Sequence, residues 1–306
     1  MERGVMPALF CFGLGYSASH TIAEFGGRFD RIAGTVTTRE KAAAIASAGI
    51  AGHTVEAFVF DGSEAPPHVT AALMDATVLL VSVPPRESGD PALAQFADTI
   101  AGAPNLRTIV YLSTVGVYGD HGGAWVDEAT PPTPISERSR ERLAAEHAWA
   151  ALATRAGKPV AILRLSGIYG PGQNALMQVA RGSARRIDKQ GQVFNRIHVA
   201  DIAHAIDAAF THRANGVFNV TDDEPTPQGV PIAFAADLLG IAPPPEIAFD
   251  EAAQGLSPMA LSFYGESKRV KNDRLKRELG VRLRYPNYRD GLRALFADGE
   301  GRSEAR

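Results

Sequence analysis

Six residues near the start of the chain, Gly13-Leu14-Gly15-Tyr16-Ser17-Ala18, have the types and spacing to cradle a pyrophosphate. They follow an apolar run at residues 7–12 and lead into a stretch with helical periodicity. In a strand–turn–helix setting, G-x-G-x-x-A has a mechanical meaning. The first glycine permits the tight turn, the second lets backbone approach the pyrophosphate, and the alanine lets the helix pack against the strand. The helix start adds free N–H groups and the positive end of a dipole. The chemistry indicated is dinucleotide binding, with Gly13, Gly15, Tyr16, Ser17 and Ala18 as contacts.

Such a turn works only if an alternating α/β frame positions it. Short apolar or β-branched runs predict strands at 7–12, 31–37, 54–60, 76–83, 107–112 and 159–164. Helical patterns fall between them at 17–28, 39–48, 66–74, 90–101 and 136–156. This alternation predicts an α/β Rossmann fold, a doubly wound parallel sheet with helices on both faces. Ligands of such sheets lie at the carboxyl ends of the strands. The second strand ends on Thr37, Thr38 and Arg39, with no acid where NAD ribose hydroxyls would need one. Two hydroxyls and a guanidinium suit a 2′-phosphate, so NADP(H) is the expected cofactor and NAD the alternative. Asp61 after the third strand suits either adenine contact or a turn, and Val83 and Pro84 after the fourth form a stiff elbow beside the cofactor.

The bulk properties bound the rest. The chain has 306 residues and a formal net charge of −3. That charge argues against a nucleic-acid partner or an anionic membrane surface. The single cysteine, Cys11, sits in the first strand and excludes a disulfide framework within one chain. No residues at metal-ligand spacing stand out, and His198 has no second ligand beside it. The N-terminal apolar run is too short for a signal sequence and no segment reaches membrane-spanning length, so a cytoplasmic location is expected.

After the fifth strand the chain reads Tyr111-Leu-Ser113-Thr114-Val-Gly-Val-Tyr118-Gly119-Asp120, and after the sixth Arg164-Leu-Ser166-Gly-Ile168-Tyr169-Gly170-Pro171-Gly172. With Arg196-Ile-His198-Val-Ala-Asp201, these motifs resemble the extended short-chain dehydrogenase/reductase superfamily of nucleotide-sugar epimerases and dehydratases, and more narrowly its atypical members. The resemblance spans nearly the whole chain. It implies a dinucleotide-binding domain over 1–170 and 196–221, a smaller substrate-binding part over 171–195 and 222–290, and a small-molecule substrate. It also implies a homodimer through the helices near 90–101 and 136–156. The polar residues 298–306 read as a disordered tail. By the same resemblance Thr114 matches the catalytic hydroxyl, Ser113 stands beside it at the cofactor, and Leu165, Ser166 and Ile168 match the segment against the nicotinamide.

The departure from the family pattern lies on the helix opening near Ser136. The family's catalytic tyrosine and lysine fall on Arg138 and Arg142. Arginine keeps its proton and has no acceptor, so it cannot replace the tyrosine acid. Arg142 suits ribose hydroxyls, and Arg138, one turn away, suits a carboxylate or phosphate; a solvated helix face accounts for both as well. Tyr264-Gly-Glu-Ser-Lys268 fits tyrosine-x-x-x-lysine, yet it precedes a helix expected at 269–280 in the C-terminal part, where Lys268 would be a surface charge. Tyr118, Tyr169 and His121 are the other proton-donor candidates, Tyr118 being placed nearest the nicotinamide. Trp125, Asp127 and Glu128 suit either substrate contact or an ordered loop. Three functions stay open: an NADP(H)-dependent oxidoreductase or epimerase-like enzyme, a catalytically silent NADP(H) sensor, and a structural protein that has lost its cofactor.

Overall fold

The computed structural model describes residues 7–302; residues 1–6 of the expected first domain and 303–306 of the expected tail lie outside the described residues. The first half alternates strand and helix: β1 (Ala8–Phe12), α1 (Tyr16–Phe25), β2 (Arg31–Val36), α2 (Arg39–Ala48), β3 (Glu56–Val59), α3 (Pro67–Asp75), β4 (Val78–Val81), α4 (Pro91–Gly102) and β5 (Thr108–Thr114). The short β6 (Trp125–Val126), the long α5 (Glu137–Ala156), β7 (Val160–Leu165) and β8 (Gly167–Tyr169) follow. Next come α6 (Ala175–Ala180), β9 (Arg186–Asp188), β10 (Arg196–His198), α7 (Val199–His212) and β11 (Gly216–Val220). The chain closes with α8 (Gly229–Leu239), β12 (Glu246–Ala248), α9 (Phe249–Ala253), α10 (Pro258–Tyr264), β13 (Arg269–Val270), α11 (Asp273–Leu279) and α12 (Tyr288–Ala297).

Seven strands form one parallel sheet in the order β11-β7-β5-β4-β1-β2-β3. The order reverses between β1 and β4, which opens a crevice at their carboxyl ends. Strand periodicity explains why both sheet faces are covered. Leu9 and Cys11 of β1 enter the core beneath α1 and α7, while Phe10 and Phe12 enter the core beneath α3, α4 and α5. Phe12, Phe60 and Phe96 form an aromatic cluster with centroids 5.2–5.8 Å apart. Burial pushes the Cys11 thiol well above its usual range, so it is a packing residue.

A third core joins α6, α8 and α12 through Leu176, Ile232, Ala236, Tyr288 and Leu292. Three boundaries differ from the sequence reading. Helix α11 starts at Asp273 with Asn272 before it, because Arg269 and Val270 pair with Trp125 and Val126 as strand. It packs on α7 and β11, so this stretch of the expected smaller part lies against the main sheet. The expected tail is not loose throughout: Glu300 accepts hydrogen bonds from Gly172 N (3.1 Å) and Asn174 Nδ2 (3.0 Å).

Candidate functional site

The turn between β1 and α1 is built as its sequence demands. Gly13 has φ +91°, and a Cβ there would meet Ser82 Oγ at 2.8 Å. Its position is fixed from three sides. Gly13 N donates to Thr35 Oγ1 (3.0 Å), Leu14 N donates to Thr35 O (2.8 Å), and Ser82 Oγ donates to Gly13 O (2.7 Å). A Cβ on Gly15 would meet nothing within 4 Å, so open space lies over the start of α1. Gly15 caps that helix without a side-chain hydrogen bond, which leaves the first-turn N–H groups of Tyr16, Ser17 and Ala18 to an anion. The Tyr16 hydroxyl donates to Pro171 O (3.0 Å), and burial with the nearby Glu300 carboxylate pushes it up to about 12.

At the end of β2, Thr37, Thr38 and Arg39 are all exposed. Thr38 caps α2 by accepting from Lys41 N (3.3 Å). Glu40, the next residue in the chain, is drawn back to its own N–H and Thr38, which holds its carboxyl below the usual range. Arg39 makes no hydrogen bond or ion pair among the described residues. Asp61 forms a turn: its Oδ1 accepts from Ser63 N (2.9 Å), and its carbonyl accepts from Arg86 (2.5 Å).

The carboxyl ends of β4, β5 and β7 open into a cavity of about 290 Å³. Pro84 and Pro85 form one wall, with Val83 packed behind them against Gly13. Thr114 forms the floor, where its Oγ1 accepts from Gly116 N (3.1 Å) and ends β5. Leu165 and Ser166 form the opposite wall. Ser166 lines the cavity, and its hydroxyl oxygen is itself buried without a hydrogen-bond partner, an unmet polar atom in that wall. Ile168 is turned outward and lines a neighbouring pocket instead, so it does not face this cavity.

Helix α5 closes the cavity with Ser136, Arg138, Ser139, Glu141 and Arg142. Arg142 Nη1 donates to Tyr111 Oη (3.1 Å) and Leu112 O (2.9 Å), while its Nε and Nη2 have no hydrogen-bond partner among the described residues. Arg138 is exposed at the cavity and has no partner among the described residues. From the far side, Phe194, Asn195, Phe263, Glu266 and Lys268 complete the enclosure.

Several expected site residues are elsewhere. Ser113 donates to Glu146 in the buried core, not to the cleft. Glu146 is held there by Arg164 Nη2 (2.7 Å), and both side chains are almost fully buried. Tyr118 is fully buried, donates to Asn219 Oδ1 (2.8 Å) and stacks on Arg164, so it is a packing residue. Tyr169 packs on Gly291 and His198, and His121 bonds to Tyr118 O (3.1 Å). His198 lies between Tyr169 and Tyr285, and burial pushes it down to about 4. Glu128 accepts from Asn219 N (2.8 Å), Asp127 closes a turn with Thr130, and Trp125 points to solvent. None of these lines the cavity.

Lys268 reverses its sequence reading. It is buried, not a surface charge, and Nζ donates to Gly119 O (2.9 Å) and Glu266 Oε2 (2.8 Å) at the cavity wall. Nothing local marks it, since Lys268 and Gly119 lie 149 positions apart. Tyr264 does remain away from the cavity, packed on Phe194 and Phe249.

The residues present fit a dinucleotide: a turn with no room for a Cβ, an uncapped helix start under open space, and a buried hydroxyl with an unmet bond at the far end. Comparison with known proteins agrees. The profile of the NAD-dependent epimerase/dehydratase family matches residues 93–221. A conserved protein of unknown function from Silicibacter pomeroyi is 46% identical, with a TM-score of 0.83 over 96% of this chain and 99% of its own. A Methylobacillus flagellatus protein, provisionally described as an NAD-dependent epimerase/dehydratase, is 25% identical, with a TM-score of 0.69 over 96% and 99%. Protein YeeZ of Escherichia coli is 27% identical over 92% of this chain and 97% of its own. A 3-diazoavenalumate denitrifying reductase from Streptomyces is 27% identical over 79% and 91%. Among the described residues no helix is long and apolar enough to cross a membrane. The glycine turn, the parallel sheet and these relatives make the chain a member of the extended/atypical short-chain dehydrogenase/reductase superfamily.

Proposed function

We propose that the protein is an NADP(H)-dependent oxidoreductase, or an epimerase-like enzyme, acting on a small molecule in the cavity at the ends of β4, β5 and β7. The observation that carries this reading is the placement of two halves at one edge of the sheet. The uncapped helix start follows β1, and the cavity lined by Thr114 and Ser166 opens at the carboxyl ends of the adjoining strands β4, β5 and β7. A protein that only bound a dinucleotide for its scaffold would have no need of the second half. When bound, the nicotinamide supplies hydride exchange with a carbon of the substrate. Gly13 to Ala18 would hold the pyrophosphate, Ser166 the carboxamide, and Thr114 a substrate oxygen.

The preference for NADP(H) rests on Arg39, which is exposed, unpartnered and next to two hydroxyls, with Glu40 drawn away. The homodimer through α4 and α5 belongs to the same proposal. A second reading, a silent NADP(H) sensor, draws support from Arg138 standing where a proton donor belongs. The two separate in one experiment: single-turnover oxidation of bound NADPH with a panel of carbonyl compounds and nucleotide sugars. Turnover that Thr114→Val slows by about 10²-fold or more supports the enzyme. Firm cofactor binding with no turnover across the panel supports the sensor.

A further inference from the structure

The α5 arginines cannot release a proton, and every tyrosine or histidine with a claim to the role is packed away from the cavity. Among the described residues, three ionisable side chains besides arginine line it: Glu141, Glu266 and Lys268. We propose, resting on the oxidoreductase reading above, that Lys268 is the catalytic residue that gives the substrate oxygen its proton, brought in from the substrate-binding side in place of a tyrosine on α5.

The geometry supports this in three ways. An ammonium group has three N–H donors. Two of those of Lys268 are used, on Gly119 O at 2.9 Å and Glu266 Oε2 at 2.8 Å, which leaves the third for the cavity that the side chain lines. Its backbone is also pinned on both sides, as a preorganised acid requires. Ser267 N donates to Asp120 Oδ1 (2.7 Å), Lys268 O accepts from Asn195 Nδ2 (2.9 Å), and β13 begins at the next residue, paired with β6. Lastly, burial lowers the ammonium's proton affinity, against the pull of Glu266 and Asp120. That moves a lysine toward the working range of a general acid. The other charged groups around it are Arg138, Arg142 and Glu141 across the cavity and His121 beside Asp120.

The step balances as follows. The substrate carbon receives the hydride and its two electrons, the carbonyl π pair moves to oxygen, and the proton of the third Nζ–H joins that oxygen to give an alcohol. Lys268 keeps the N–H electron pair as a neutral amine and regains a proton from water at the cavity mouth, where Glu266 favours the returning charge. In the oxidising direction the same amine takes the alcohol proton.

The test uses the whole protein labelled with 13Cε-lysine, the Lys268 signal being the one absent from Lys268→Met. Cofactor binding is followed separately by NADPH fluorescence. The expected result is a Lys268 signal that titrates below the ordinary lysine range and shifts when NADPH is added. With a carbonyl panel, Lys268→Met should slow single-turnover NADPH oxidation by about 10²–10⁴-fold with nearly unchanged NADPH affinity. The double variant Lys268→Met/Glu266→Gln, which leaves no lone buried carboxylate, should be as slow and controls for misfolding. NADPH binding with a Lys268 signal that stays in the free-lysine range and does not move overturns the inference, as does unimpaired turnover by either variant. Failure of NADPH to bind overturns the cofactor reading itself, and this inference with it.

Discussion

The two ends of the cleft are made in opposite ways. The phosphate end is one contiguous stretch, Gly13 to Ala18, whose work is done by backbone: a positive φ, an open Cα and free N–H groups. The cavity end is assembled from the ends of three strands, helix α5, and loops that return from the C-terminal part. Its work falls to side chains, and most candidates there are already engaged. Ser113 is bound to Glu146, Arg142 to Tyr111 and Leu112, and Tyr118 to Asn219. Backbone chemistry survives sequence drift as long as the glycines do. Side-chain chemistry can be relocated, and here the uncommitted donors, Arg138 and the free Nε and Nη2 of Arg142 on α5 and the third proton of Lys268, come from different segments.

The contrast can be broken most severely from behind the cavity. Glu146→Ala leaves the Arg164 guanidinium buried without its carboxylate, at a cost of about 3–5 kcal/mol. Chemical denaturation should show that loss, and a change under 1 kcal/mol would mean that the pair does not brace the wall. At the other end Gly13→Ala forces a side chain into φ +91° and onto Ser82. It should cost about 1–3 kcal/mol of stability and weaken NADPH binding more than tenfold by titration.

Asp222 sharpens the picture on the substrate side. Its Oδ2 is buried without a partner, and burial pushes the carboxyl up to about 8. A carboxyl whose proton affinity rises on folding stabilises the fold at low pH, and that stabilisation drains away as pH climbs from 3.8 toward about 8. Melting temperature should therefore fall from about pH 5 to about pH 9 in the wild type, and much less in Asp222→Asn. Parallel curves would refute the assignment. The smallest effect belongs to Ser166→Ala. Removing an unpartnered hydroxyl should leave folding stability unchanged or slightly raised, yet weaken cofactor binding by about 0.5–1.5 kcal/mol.

The same contrast explains what could be read from the chain. The strand and helix positions of the first half follow from local patterns, and Thr38, Asp90 and Ser136 mark helix starts in plain view as capping residues. The glycine turn needed nothing beyond its neighbours. Side-chain commitments did need the tertiary fold. Ser113 and Thr114 are adjacent, but strand alternation sends one hydroxyl into the core beside Glu146 and the other to the cavity. Lys268 looked like the start of a surface helix because the pairing of β13 with β6, which buries it, joins segments far apart in sequence. The segment after Asp298 read as loose because no local signal shows that Glu300 reaches Gly172 and Asn174.

The central claim is a cleft built for a dinucleotide whose 2′-phosphate meets Arg39. Titrating NADPH and NADH into the wild type and Arg39→Ala tests it most directly. The account predicts binding of one NADPH per chain, tighter than NADH, with the preference abolished in Arg39→Ala. Equal affinities for NADPH and NADH in the wild type, or no binding of either dinucleotide by the folded protein, would contradict it.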